Sequence, residues 1–110
     1  MINKQAIEKA HNDPSFKANG WLTFCLVGSV KQHREMASGL RELGAINLSE
    51  GIGGAVYAKV PVAVEETAIL RCVEQVLTLA ETMAVQIAVV DLDASPDVGE
   101  SKFFTLWLAE

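Results

Sequence analysis

The fold is decided by residues 21–29, which read WLTFCLVGS. Every residue before Gly28 in this stretch except Thr23 is apolar, so the strand carries apolar side chains on both faces. A strand of that kind usually lies in the interior of a sheet, with a neighbour on each side. Ser29 and Gln32 have the spacing of a capping box, which indicates that a helix begins directly after the strand. The stretch therefore predicts a central strand followed at once by a helix.

Hydrophobic periodicity predicts the remaining elements on both sides of this strand. Stripes with a period near 3.6 residues indicate helices, and alternating or continuous apolar runs indicate strands. The predicted elements are helices at residues 2–12, 30–43 and 65–83, and strands at residues 21–27, 45–50, 55–62, 85–93 and 102–109. Within the strand at 55–62, apolar Val56, Ala58, Val60 and Val62 alternate with Tyr57, Lys59 and Pro61. Such alternation suits a sheet with one face covered.

The order of these elements predicts an α+β fold of the ferredoxin-like kind. The order strand, helix, strand, strand, helix, strand folds through right-handed crossovers into an antiparallel sheet covered by two helices. The last strand and the first helix are additions to this pattern. We therefore expect an N-terminal helix or arm at residues 1–20 and a single ferredoxin-like domain at residues 21–110.

Composition restricts the classes of partner and the compartment. The chain has 110 residues, half of them hydrophobic, which predicts a folded core. Its net charge of −5 argues against a nucleic-acid partner held by phosphate contacts. The N-terminus has no signal-peptide pattern, and no apolar run approaches the ~20 residues that cross a bilayer. We expect a cytoplasmic protein without a membrane partner, with Cys25 and Cys72 as buried free thiols.

The C-terminal strand predicts an interface because it is very apolar for a chain end. Its large apolar side chains are Phe103, Phe104, Leu106, Trp107 and Leu108. A strand of this composition must pair with a sheet edge, either in its own subunit or in a second one. Pairing across two subunits gives a closed twofold homodimer, which is the expected assembly. A heterologous protein partner is a further possibility.

Four residues are candidates for ligand binding. Gly28 and Ser29 open a helix directly after a central strand, a geometry that can bind an anion. His33 follows on the same helix, at the rim of its apolar stripe, and histidine titrates near neutral pH. Gly53 belongs to a glycine-rich turn that a ligand could approach closely. The structural interpretations are a helix cap, a histidine packed against the core and a hairpin turn, respectively.

Asp91 and Asp93 are candidates for metal binding. Two residues apart in one strand, their side chains point the same way, so their oxygens could reach one hard cation. The alternative is that they are charges at the end of an edge strand that discourage aggregation.

The order of elements over residues 21–109 resembles that of two families: the CRISPR spacer-acquisition small nucleases and the ribonuclease-like virulence-associated protein D family. This resemblance implies a ferredoxin-fold dimer with an extra C-terminal strand. Those families carry an acidic residue at the end of the first strand, where this chain has Val27, Gly28 and Ser29.

Three functions follow from these observations. The first is a non-enzymatic protein-interaction or regulatory module that acts as a homodimer, for example an inhibitor or adaptor. The second is a ferredoxin-like domain that senses a small anion or metabolite near Gly28, Ser29 or the glycine hairpin. The third is a metal-dependent nuclease-like enzyme that uses Asp91 and Asp93. Because no catalytic constellation stands out, the first is preferred, and we expect neither a catalytic residue nor a cofactor.

Overall fold

A computed structural model describes residues 2–50, 55–95 and 102–108. Its elements in chain order are α1 (Lys4–His11), β1 (Asn19–Val27), α2 (Val30–Glu42), β2 (Ile46–Glu50), β3 (Ala55–Ala63), α3 (Glu66–Thr82), β4 (Gln86–Asp93) and β5 (Phe103–Leu108). Each corresponds to a predicted element, with ends that differ by at most two residues.

The strands form one five-stranded sheet in the order β2-β3-β1-β4-β5. Every neighbouring pair is antiparallel. With three helices beside this sheet, the chain has the predicted α+β class. β1 and β3 lie inside the sheet, as their apolar content predicts.

The core lies between one face of the sheet and the helices. On β1 the side chains of Leu22, Phe24 and Leu26 are fully buried, and on the neighbouring β3 those of Ala58 and Val60 are buried too. The helices complete the same core with buried apolar residues, which are Met36 and Leu40 of α2 and Ile69, Cys72, Val76 and Ala80 of α3.

The start of α2 follows the predicted capping box. The Gln32 backbone N–H donates to Ser29 Oγ at 3.2 Å, and the Ser29 backbone N–H donates to Gln32 Oε1 at 2.7 Å. Two orphan donors at the helix start are thereby satisfied. The helix ends before Gly44, whose φ of 88° lies in the left-handed region that glycine adopts at low cost.

The N-terminal helix, predicted as a helix or an arm, is packed into the core. Its buried residues, Ala6, Ile7 and Ala10, belong to the main hydrophobic cluster. The Asn3 backbone N–H donates to the Leu106 carbonyl of β5 at 2.8 Å. α1 therefore covers the part of the core beneath the last strand.

The C-terminal strand pairs with β4 of its own chain. An irregularity in the register changes which of its apolar side chains lie on each face of the sheet. The pairing shifts between Val90 and Asp91, which leaves Leu106 without a partner residue between Thr105 and Trp107. Leu106 is buried, and Phe104 and Trp107 pack against the core. Phe103 and Leu108 remain 55% and 63% exposed.

Both cysteines are free and buried, as expected. Burial raises the pKa of the Cys72 thiol to about 11. In the described ranges, no helix combines the length and apolarity needed to span a membrane.

We predict that Ile7→Ala lowers the free energy of unfolding by about 3 kcal/mol, because it removes a buried side chain and leaves a cavity. The change should appear as a lower urea midpoint with an unchanged slope. The control is Glu8→Ala on the exposed side of the same helix, expected to change stability by less than about 0.5 kcal/mol. Equal effects of the two substitutions would contradict a packed α1.

Candidate functional site

On the sheet face opposite the helices, called the open face below, three cross-strand rows of described side chains run from β3 to β5. Residues opposite each other on neighbouring strands project from the same face, so the registers define each row. From β3 to β5, the rows are Tyr57-Cys25-Val89-Leu108, Lys59-Thr23-Asp91-Thr105 and Pro61-Trp21-Asp93-Phe103. The middle row is polar, and the outer rows are mainly apolar.

A buried ion pair lies at the centre of the open face. Lys59 Nζ donates to Asp93 Oδ2 at 3.1 Å and to Thr23 Oγ1 at 3.0 Å. The Thr23 hydroxyl in turn donates to Asp93 Oδ2. The Lys59 and Asp93 side chains are each only 10% exposed. Two desolvated charges are tolerated here because each neutralises the other and both are hydrogen bonded.

Lys59 lies on the uncovered face, as the alternation along its strand indicates, yet it is buried. It sits in the middle of an interior strand, and the neighbouring rows place Tyr57, Trp21 and Pro61 around it. A long lysine chain can bury its alkyl part among such neighbours, and here its ammonium group is hydrogen bonded to Asp93.

Asp91 sits beside this ion pair with one oxygen unsatisfied. Its Oδ1 is buried and has no hydrogen-bond partner in the described part of the chain. Desolvation raises the pKa of this carboxyl, and the charge of Asp93 raises it further. The hydrogen bond with Thr105 and the charge of Lys59 oppose the rise. An additional hydrogen-bond donor or a cation beside Asp91 would therefore satisfy this oxygen and stabilise the charged carboxylate.

Tyr57 and Cys25 are neighbours at one side of the polar row. The electrostatic effect of Cys25 raises the pKa of the Tyr57 phenol, and a hydrogen bond between the two adds to the rise. A phenol with a raised pKa stays protonated at neutral pH. This side of the open face therefore presents an uncharged aromatic ring.

The predicted metal residues Asp91 and Asp93 do point to the same face of β4. Asp93 is already bonded to Lys59 and Thr23, so a cation at Asp93 would compete with an ammonium group. Across the described ranges, no three histidine, cysteine or acidic side chains are grouped so that they could hold a metal. Metal binding by this pair stays a prediction.

The helix start at Gly28 and Ser29 is closed by its own cap. The Gln32 side chain accepts from the Ser29 backbone N–H, and its Nε2 donates to the Ala84 carbonyl at 3.2 Å. A Cβ added at Gly28 would lie 2.9 Å from Gln32 Oε1, so the amide fills the space above the glycine. Anion binding here stays a prediction, and Gly53 lies outside the described residues.

His33, one of the predicted ligand residues, lines a cavity. The cavity has a volume of about 150 Å³ and lies on the helix side of the sheet, between α2, Leu26 of β1 and Val56 of β3. His33 Nε2 is buried and has no hydrogen-bond partner among the residues described.

Sequence reasoning missed Lys59 and Thr23 as members of the polar row. The available signal was that each is the polar exception in the middle of a strand expected to lie inside the sheet. Polar side chains at such positions usually pair with one another, because unpaired burial is costly.

Comparison of the chain with protein-family models, curated proteins and solved structures found no match.

We predict that Lys59→Met lowers the free energy of unfolding by about 3 to 5 kcal/mol, because it leaves the Asp93 charge buried and unpaired. Adding Asp93→Leu should recover most of this loss, since the double variant no longer buries a charge. The matched control is Lys4→Met, which breaks an ion pair with Glu66 whose two side chains are both exposed, and it should cost less than about 1 kcal/mol. Urea denaturation measures all three variants, and equal losses for Lys59→Met and Lys4→Met would refute the buried pair.

We predict that Asp91→Asn flattens the pH dependence of stability. A raised folded pKa means that the folded chain holds the proton more tightly than the unfolded chain does. Protonated Asp91 therefore stabilises the folded wild type at pH values below the ordinary pKa of 3.8. This contribution to stability is lost as the pH rises through the folded pKa. Asparagine does not titrate, so the stability of Asp91→Asn relative to wild type should increase from about pH 4 to about pH 7.

Thermal unfolding at several pH values measures this difference. Glu81→Gln, at an exposed position of α3, is the control for loss of a negative charge. A constant difference between wild type and Asp91→Asn across the pH range would contradict the raised pKa.

Proposed function

We propose that this chain is a non-enzymatic protein-interaction module, and that it acts as a homodimer through the open face of its sheet. The observation that carries the proposal is the arrangement of that face, where mainly apolar rows flank a polar row and the charge of Lys59 in the polar row is neutralised by Asp93 in the row beside it. Desolvation of such a face costs little free energy, and burial of its apolar rim makes association more favourable.

The exposed apolar side chains of the open face support this proposal. Single exposed apolar residues are common on protein surfaces, but a group on one face of a sheet marks an interaction site. Exposed residues that register places on this face are Val27, Ile46, Tyr57, Phe103 and Leu108.

The size of the face suits a dimer. Five strands about 4.8 Å apart, with a mean length of about 25 Å, have a footprint of about 600 Å² before side-chain relief is counted. A standard interface buries about 800 Å² on each partner. The open face therefore supplies most of the area that a stable homodimer needs.

Charge complementarity favours a second copy of the chain as the occupant. The polar row runs from the cation of Lys59 on β3 to the carboxyl of Asp91 on β4, with Thr23 of β1 between them. A twofold axis parallel to β1 stacks β1 on its copy and puts β3 over β4 of the other subunit. Lys59 then faces Asp91 of the partner subunit, so the carboxyl with an unsatisfied oxygen gains a cation.

This proposal changes the role of the C-terminal strand. Of the residues expected at the interface, Phe103 and Leu108 lie on the open face, while Phe104, Leu106 and Trp107 complete the core of their own subunit. The edge of β5 is also partly used, because the Leu106 carbonyl accepts from Asn3. Stacking of sheet faces therefore explains the exposed residues better than pairing of strand edges does.

We also propose that the arrangement is ferredoxin-like and that the protein works in the cytoplasm. The strand order β2-β3-β1-β4, with α2 and α3 as the crossovers, supports the first point. Two buried free thiols in so short a chain fit a reducing compartment and support the second. A dimer joined by its sheets leaves both helix layers outward, where a heterologous partner of an adaptor or inhibitor could bind.

We predict that Phe103→Asp combined with Leu108→Asp weakens dimerisation at least tenfold, because it buries charges in the proposed interface. Sedimentation equilibrium over a range of concentrations measures the dissociation constant. The matched control is Val30→Asp combined with Leu77→Asp, at exposed apolar positions on the helices, which should leave that constant unchanged. Circular dichroism verifies that each variant is folded.

Two outcomes would overturn the dimer proposal. One is a wild-type chain that stays monomeric up to the highest concentration. The other is a control pair that weakens dimerisation as much as the pair on the open face.

A further inference from the structure

We propose that the cavity beside His33 binds a small monoanion with an apolar body, of the class of an aromatic or short-chain carboxylate. This goes beyond the role of the open face. Leu26 contributes to the cavity from the helix-covered side of β1, whereas Thr23 and Cys25 project from the opposite side. The two surfaces can therefore be occupied at the same time.

The floor of the cavity is apolar and is part of the buried core. Leu26, Met36 and Leu40 line it, and each is fully buried in the core. The volume of about 150 Å³ is close to that of apolar protein cavities that accept benzene. The floor therefore suits a body of about six carbon atoms.

One polar atom inside this site lacks a partner. His33 lines the cavity, and its Nε2 has no hydrogen bond to any residue in the described ranges. An imidazole nitrogen can donate or accept a hydrogen bond, and leaving it unsatisfied in a buried position costs free energy. A ligand that brings an oxygen to Nε2 would recover that cost.

Two arginines give the cavity its selectivity for an anion. Arg34 and Arg41 both line it, and both are exposed to solvent. They are seven residues apart on α2, about 10 Å along the helix axis, and they share a helix face with Ala37. Neither forms an ion pair with another described residue. Guanidinium groups free of carboxylates are well suited to bind one from a ligand.

The local charge of the cavity is the opposite of the charge of the whole chain. The chain carries a net charge of −5, yet the described lining contains two arginines, a histidine and no acidic side chain. An apolar floor, one unsatisfied buried nitrogen and a cationic rim together specify a ligand with an apolar body and an anionic group at one end.

The experiment titrates the full chain with benzoate and follows backbone amide shifts by NMR. Benzyl alcohol keeps the ring without the charge, and acetate keeps the charge without the ring. We expect benzoate to shift the amides of His33, Ala37 and Val56 and to bind at least tenfold more tightly than either analogue. Equal affinities for benzoate and acetate, or shifts spread over the whole surface, would overturn the proposal.

Variants separate the two halves of the site. Arg34→Gln with Arg41→Gln should remove the preference for benzoate over benzyl alcohol, because the ring pocket remains and the cations do not. Ala37→Leu should weaken both ligands at least tenfold by filling the cavity. Arg71→Gln, an exposed arginine on α3, is the control and should leave both affinities unchanged. Thermal unfolding verifies that the double arginine variant is folded. An unchanged preference of this folded variant for benzoate would contradict the proposed role of the two arginines.

Discussion

The hydrogen-bonded ion pair between Lys59 and Asp93 is the constraint on which the open face depends. It joins β3 to β4 across β1, with the Thr23 hydroxyl as the connecting group. A buried pair of this kind adds little net stability, but breaking it is costly, so any other register of these strands is penalised. The pair therefore contributes mainly to the specificity of the strand register. It fixes which side chains of three neighbouring strands share a row.

The same interaction explains how an uncovered sheet face can be largely uncharged at its centre. Because Lys59 and Asp93 neutralise each other, neither of them presents an unpaired charge to the aromatic side chains placed around them, Tyr57, Trp21 and Phe103. Burial of such a face against a second sheet then desolvates apolar surface more than it desolvates free charge. The charge left over is that of Asp91, which lies between Thr23 and Thr105 in the polar row.

Local patterns were enough to predict the elements, and they were insufficient for the site. The strand before Gly28 and the cap at Ser29 depend on residues a few positions apart, so the order of strands and helices could be read directly. The bond from Lys59 to Asp93 joins residues 34 positions apart through a third strand, and periodicity does not contain that register. The shift in pairing at Asp91 likewise changes the face on which side chains of the C-terminal strand lie. A strict alternation would have assigned some of these side chains to the other face. The cavity beside His33 arises from packing between distant segments.

The burial of Cys72 in α3 has a consequence for how motions of this domain can be observed. The nucleophile in alkylation is the thiolate, and a pKa of about 11 keeps its fraction very small at neutral pH. Alkylation of this sulfur is therefore expected to be slow while α3 packs against the sheet, and faster when the helix separates from it. The rate of its modification by a small reagent consequently measures transient opening of the helix layer, without any engineered probe.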